Sequence, residues 1–506
     1  MAQRQLPSLP KMRKDAVTRR LCASVHLDAD FAQDTDRRLT GDGLNAMGPT
    51  LGVNLVALAR HARVAVRRRA ALDRRLARLF VGGAAALCIG LGALIDGHGS
   101  VAMTGVYGPV GVLAAAWWLV HRDQVRAWAA AQDVYRTQDK SENLAPAVEP
   151  AAEARLHELK RANVVPYTDS AEHTNPFVGS GDKIKETLWQ PIDVSRPADS
   201  PTGGKLTVRP FDAVDLHTYV AREMEGVSGL EGLRARNRLY VLGSNVLHLP
   251  DLLPDRTRRP QAQIPRQVVQ AGLQNPGAGM RTYLCLERVG EGGRTIVSMY
   301  LRARLHRPSL TWEVAAYAIP PLHGRFYQVD TLPVARAERW WRLAAYATTH
   351  VWPELSGAAG RLRARRRHRR AAERALTRTR REIREHHAVY DYGASDSLRE
   401  SIGDWEQAGY SEKTDAQDFL FRLQQGVLVA TERFLQDHNV DTGSFDKAQQ
   451  IISTQTYNIS GDINGPSNIG NQGQISMAGG QPQHGQGGGG QQGAGPGGGG
   501  RPGGGP

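Results

Sequence analysis

Apolar positions recur on three patterns along this chain, and each predicts a different element. Two runs carry no charge at all: 79–95 (LFVGGAAALCIGLGALI) and 101–120 (VAMTGVYGPVGVLAAAWWLV). A helix needs about 20 apolar residues, with a range of about 17–25, to cross a bilayer's hydrocarbon core. Only Asp96-Gly97-His98-Gly99-Ser100 separates the runs. That is enough to turn an antiparallel pair of helices and too little to cross back. A buried hairpin in a soluble core is the competing element. The charged outer flanks on both sides are the membrane pattern.

The second pattern alternates with period two. Residues 281–289 (RTYLCLERV) and 295–301 (TIVSMYL) flank Gly290-Glu291-Gly292-Gly293, a hairpin signal. Residues 310–319 (LTWEVAAYAI) predict a third strand and 325–329 a fourth, with a short strand at 239–242. The third pattern is helical. Ala416, Leu420, Leu423, Val427, Ala430 and Phe434 form a stripe at 3–4 spacing within 412–436. Asp212 is placed to cap a helix running to about Arg222. Residues 51–78 read as one long helix entering the first apolar run, 121–140 as a continuation of the second, and 335–390 as helix.

These elements predict an α+β chain with a two-helix transmembrane hairpin, a small antiparallel-sheet domain and helical flanking parts. In order, we expect a disordered start (1–14), a basic helical region (15–78), the first span (79–95), an external loop (96–100) and the second span (101–120). Then follow a helix and linker (121–162, with the linker at 141–153), the α+β domain (163–335, opening on a loop at 163–182) and a helical region (336–440). A low-complexity motif segment (441–478) and a disordered Gly-rich tail (479–506) complete the chain.

Charge sets the expected orientation. Of 64 basic residues only nine are Lys, and the net charge is +14. Residues 60–78 carry +7 and residues 361–387 carry +9, so the rest of the chain is close to neutral. Eight Arg precede the first run, Arg122 and Arg126 follow the second, and the connecting loop has no Lys or Arg. The positive-inside rule then places both termini in the cytoplasm of a two-span cell-membrane protein. The first twenty residues are polar and basic, so no signal peptide is expected. Arg67, Arg68, Arg69, Arg74, Arg75, Arg365, Arg366, Arg367, Arg369 and Arg370 are candidates to face anionic lipid headgroups. Trp340, Trp341, Tyr346 and Trp352, just upstream of the second block, suit an interface. Aromatics for base stacking are missing from that block, which ranks nucleic acid last. Gly82, Ala86 and Gly90, four residues apart, let helix backbones approach, either within the hairpin or between copies of the chain.

Catalytic chemistry is not legible. Cys22, Cys88 and Cys285 are odd in number and far apart, excluding a disulfide framework and a Cys-based zinc site. No GxSxG, HExxH, Walker loop or EF-hand occurs. We therefore expect no cofactor and no metal site, and assign no catalytic residue. Gly179-Ser180-Gly181 lacks the lysine of a phosphate loop and reads as a turn. The leading expectation is a membrane-anchored interaction or signalling protein, with a possible homo-oligomer or protein partner. The alternative is a tethered enzyme with a site in 163–335, where Asp169, Glu172, His173 and Asp182 would converge.

Two resemblances add to this. Residues 459–475 (ISGDINGPSNIGNQGQI), preceded by Tyr457, carry Ile459, Ile463, Ile469 and Ile475 among Gly, Asn and Gln. The segment resembles the C-terminal motifs of bacterial amyloid-signalling proteins, which implies assembly by cross-β stacking. An ordinary disordered tail is the competing reading, and Pro466 departs from a ladder. RRLCASVHLDADF, the apolar pair, NPFVGSGD, MRTYLCLERV and YDYGASDSLRE together resemble uncharacterised two-pass actinobacterial membrane proteins. That resemblance implies the architecture and names no activity.

Overall fold

Sequence periodicity becomes ten helices and seven strands among the residues that the computed structural model describes: 13–170, 175–277, 279–443 and 445. The helices are α1 (Ala16–Leu27), α2 (Ala29–Thr40), α3 (Leu55–Ile95), the single turn α4 (Gly99–Ala102), α5 (Thr104–Arg136), α6 (Pro150–Leu159), α7 (Ala213–Glu225), α8 (Arg266–Gln274), α9 (Arg336–Glu385) and α10 (Tyr410–Asp437). The strands are β1 (Val164–Tyr167), β2 (Asp182–Leu188), β3 (Ile192–Asp193), β4 (Arg234–Leu242), β5 (Met280–Val289), β6 (Ile296–His306) and β7 (Ser309–Ile319).

The sheet runs β1-β4-β5-β6-β7-β2, with β3 also on β7. It is mixed rather than antiparallel, because β1 pairs parallel with β4. The expected β5–β6 hairpin forms, and Gly292 and Gly293 take the positive φ its turn needs. Residues 163–182, expected as loop, supply β1 and the start of β2. Both are edge strands, so their mixed side chains gave no alternation to read. The expected strand at 325–329 is instead part of a 3₁₀ turn, Gly324–Thr331, with Phe326 and Val329 buried. The expected linker contains a 3₁₀ turn at Ser141–Leu144 and the start of α6.

Each sheet face has its own cover. On one, Leu284, Leu286, Val297, Met299, Leu301, Trp312 and Val314 pack against α7 and the apolar stripe of α10. α10 thus completes the core of the sheet domain, although ninety residues separate it from β7. Asp212 and Asp215 cap α7 reciprocally, each side chain accepting from the other's backbone N–H. The other face is aromatic: Phe177 stacks on Tyr300 at 4.2 Å and meets Tyr240, Tyr283 and Tyr317 edge-on. The buried thiols Cys22 and Cys285 and the exposed Cys88 are all free.

α3 is one unbroken helix of 41 residues, capped by the Asn54 side chain. Its apolar half, and that of α5, are long and apolar enough to cross a membrane. Only 11% of each apolar stretch is buried, so neither is a core helix of a soluble domain. Val81, Ile89, Leu94, Ile95, Val106 and Val110 all stand exposed. Their removal from water is worth about 1.5–3 kcal/mol for each fully buried side chain. The two helices touch through small residues: Gly90 lies on Gly105, Ala86 against Gly108 and Gly83 against Val112. Gly82, by contrast, has open space beside it.

Candidate membrane interface and the junction beneath it

Below its apolar half, α3 is basic, and α5 and α9 close around it. The α9 residues Ala347, Leu355 and Ala358 pack on Leu72 and Leu76 of α3 and on Ala116 and Val120 of α5. Their spacing is a helical stripe in an otherwise polar helix of 50 residues with Pro353 inside it. Trp117 fastens the crossing by donating its indole N–H to Thr348 Oγ1 at 3.0 Å.

Ion pairs surround that small apolar contact. Asp73, with a fully buried side chain, accepts from Arg361 Nε at 3.0 Å and lies 2.7 Å from Arg365 Nη1. Glu354 pairs with Arg69 and also accepts from Arg361 at 2.7 Å. Arg68 reaches His26 O at 2.8 Å and stands 3.5 Å from Asp123. From Arg68 a relay of hydrogen bonds runs inward. His26 Nδ1 faces Arg68 at 3.4 Å, His26 Nε2 lies 3.1 Å from His61 Nδ1, and His61 Nε2 lies 2.9 Å from Ser141 O. Since the Ser141 carbonyl can only accept, His61 donates from Nε2, which leaves its Nδ1 to accept from His26. Burial, together with the His61 and Arg68 beside it, pushes His26 down to about 3. The imidazole is thus neutral in the folded protein.

This geometry divides the basic candidates. Arg67, Arg74, Arg75, Arg366, Arg367, Arg369 and Arg370 are exposed. Arg68, Arg69 and Arg365 are not free lipid-facing cations, because acids on other helices or turns of the same junction hold them inside the protein. Trp118, Trp340, Trp341 and Trp352 are exposed, with Arg122 over the Trp118 ring at 4.8 Å. Tyr346 is partly buried against the α3–α5–α9 contact. The acids Asp73, Asp123 and Glu354 did not stand out in the sequence. Their one signal is that Asp73 is the single acid among the eight Arg of 60–78.

Of the four suspected enzyme residues, Asp169 and Asp182 lie among the described residues. Asp182 accepts the Trp405 indole N–H at 2.7 Å, Asp169 lies near Tyr167, and Glu172 and His173 fall outside the described residues. No group of three metal-capable side chains occurs among the described residues. Gly179 and Gly181 take positive φ and turn their N–H groups toward one point, and Glu400 fills it, accepting at 3.0 and 3.1 Å. An anion-holding turn is therefore satisfied by the protein's own carboxylate. Arg399, next to it, is buried and donates to the carbonyls of Arg294 and Pro320. NPFVGSGD and YDYGASDSLRE are thus two halves of one brace. Tyr457, Ile459, Ile463, Ile469 and Ile475, and the Gly-rich tail, lie outside the described residues.

A family model described as AbeC-like domain matches residues 188–472, more than half of the chain. The match takes in β4 to β7, α7 to α10 and part of the Ile-spaced segment, and leaves both apolar helices outside. No curated protein and no solved structure matches the chain.

Proposed function

The chain belongs to the AbeC-like domain family, and we propose that it is a membrane-anchored interaction or signalling protein whose family domain is held at the cytoplasmic surface by two spans. The observation that carries this reading is the continuity of α3. One helix runs from the buried ion pairs at Arg69 and Asp73 into an apolar half whose side chains face outward. A domain clamped to such a helix cannot leave the membrane without breaking that clamp. Exposed Arg74 and Arg75 on α3, and Arg366, Arg367, Arg369 and Arg370 on α9, would then face the anionic leaflet, each contributing up to about 1 kcal/mol near the surface. The likeness to two-pass actinobacterial proteins supports the same topology. Homo-oligomerisation through the Ile-spaced segment is the assembly step of this reading.

Reporter fusions test the topology. A reporter active only in the cytoplasm should be silent after residue 98 and active after residues 150 and 506. A signal at 98 would overturn the reading. Replacing Arg366, Arg367, Arg369 and Arg370 by Gln should raise hydrogen exchange in α9 when the full chain sits in nanodiscs rich in phosphatidylglycerol. It should change nothing in phosphatidylcholine nanodiscs, because only the first surface attracts cations.

A further inference from the structure

Between the α1–α2 turn, α3, α5 and α9 lies a cavity of about 40 Å³ whose polar lining is His26, Gln33, Arg68, Arg69, Asp123, Gln124 and Arg365. Three guanidinium groups line it against a single carboxylate, Asp123. The surrounding junction is cationic too, by one charge. Arg68, Arg69, Arg361 and Arg365 are matched by only Asp73, Asp123 and Glu354. One cation is therefore in excess, and the loosest of these pairs is Arg68 with Asp123. Glu354 is engaged by Arg69 and Arg361, and Asp73 by Arg361 and Arg365. Arg68 Nε is buried and donates to nothing, with Asp123 Oδ1 3.5 Å away. Burial lowers Arg68 and raises Asp123 from their ordinary values, as expected of charges that lack full compensation.

We propose that this cavity is an oxyanion site that takes the phosphate group of a soluble ligand. A guanidinium with a buried, unbonded Nε–H is well shaped to hold a phosphate oxygen. The volume admits a few waters, or one tetrahedral anion in their place, and excludes a nucleoside. The register of the two long helices sets the depth. Continuing the pairing of Gly90 with Gly105 and of Gly83 with Val112 puts Asp123 opposite Leu72, one turn above Arg68 and Arg69. Arg69 itself is ten residues below Leu79, or about 15 Å along the helix. The headgroup layer is only about 5–7 Å thick, so an ordinary lipid phosphate lies too high. A bound phosphate would neutralise the excess charge where four elements meet and tie α9 more firmly to α3 and α5. The site does not depend on which side of the membrane the junction occupies, so failure of the topology test leaves this one intact.

The test uses the full chain in nanodiscs of phosphatidylcholine, with inorganic phosphate titrated against chloride at constant ionic strength. Phosphate should give a saturable rise in unfolding temperature of several degrees. Arg68→Gln should abolish it, Arg68→Lys should retain a weaker response about tenfold lower in affinity, and Arg196→Gln at an exposed position of the sheet domain should leave it unchanged. A second arm replaces part of the lipid with phosphatidylinositol 4-phosphate and omits free phosphate. A saturable shift in that arm alone would overturn the soluble source and assign the pocket to a headgroup. No saturable shift in either arm, or an undiminished shift in Arg68→Gln, would overturn the site.

Discussion

Replacing Asp73 with Asn removes the charge at the centre of the junction while keeping the volume. The wild-type carboxylate is fully buried between Arg361 and Arg365. Removing one partner of a buried pair costs about 3–5 kcal/mol. Here both guanidinium groups keep some access to water, with 31% and 23% of their side chains exposed, and Arg361 keeps Glu354. The low end, about 3 kcal/mol, therefore applies. The loss falls on the docking of α9, because both ion-pair partners of Asp73, Arg361 and Arg365, belong to that helix. Since 1.4 kcal/mol is a factor of ten, the docked α9 should open about 100-fold more often. Amide hydrogen exchange on the full chain in detergent reads this directly. Amides between 343 and 361 should lose about two decades of protection, while α7 and β5 to β7 keep theirs. A loss below threefold in α9, or an equal loss in α7, would refute the argument that Asp73 clamps α9 to α3.

Three further outcomes are expected. His26 sits at about 3 and His217, buried against Asn237 and the Ala303 N–H, at about 4. Both lie below the ordinary 6.5, so the unfolded chain binds protons that the folded one refuses, and stability falls as pH drops below about 6.5. By pH 5.5 the two should together cost about 3 kcal/mol. Thermal unfolding between pH 8 and 5.5 checks this, and a flat profile or a rise toward acid would contradict it. Gly90→Leu drives a side chain into the Gly105 backbone, whereas Gly82→Leu meets open space. The first should lower the unfolding temperature in detergent by several degrees and the second by less than one, and equal effects would remove the Gly90–Gly105 contact as the reason. A peptide of residues 454–478 should form fibres with a reflection near about 4.7 Å, lost in Ile463→Asp plus Ile469→Asp. A peptide that stays random coil for days would end the cross-β reading.

The local pattern alone determined much of this protein. Two uncharged runs, the Gly290–Gly293 turn, the Asp212 cap and the 3–4 stripe of 412–436 are each settled by neighbours a few residues away. They reappear as α3, α5, the β5–β6 hairpin, α7 and α10. Tertiary structure decided whatever depends on a distant partner. β1 and β2 are strands because β4 and β7 offer them edges, not because VVPY or DKIKETL alternate. Arg68, Arg69 and Arg365 read the same as their exposed neighbours Arg67 and Arg366. Only the crossing of α3, α5 and α9 turned them inward, where Asp123, Glu354 and Asp73 meet them. Helical periodicity defines which residues share a face, but the charge a face encounters is set by helices up to 292 positions away in the chain. That is why the sequence marks two basic blocks, and only the fold distinguishes the arginines that clamp the junction from those left for a membrane.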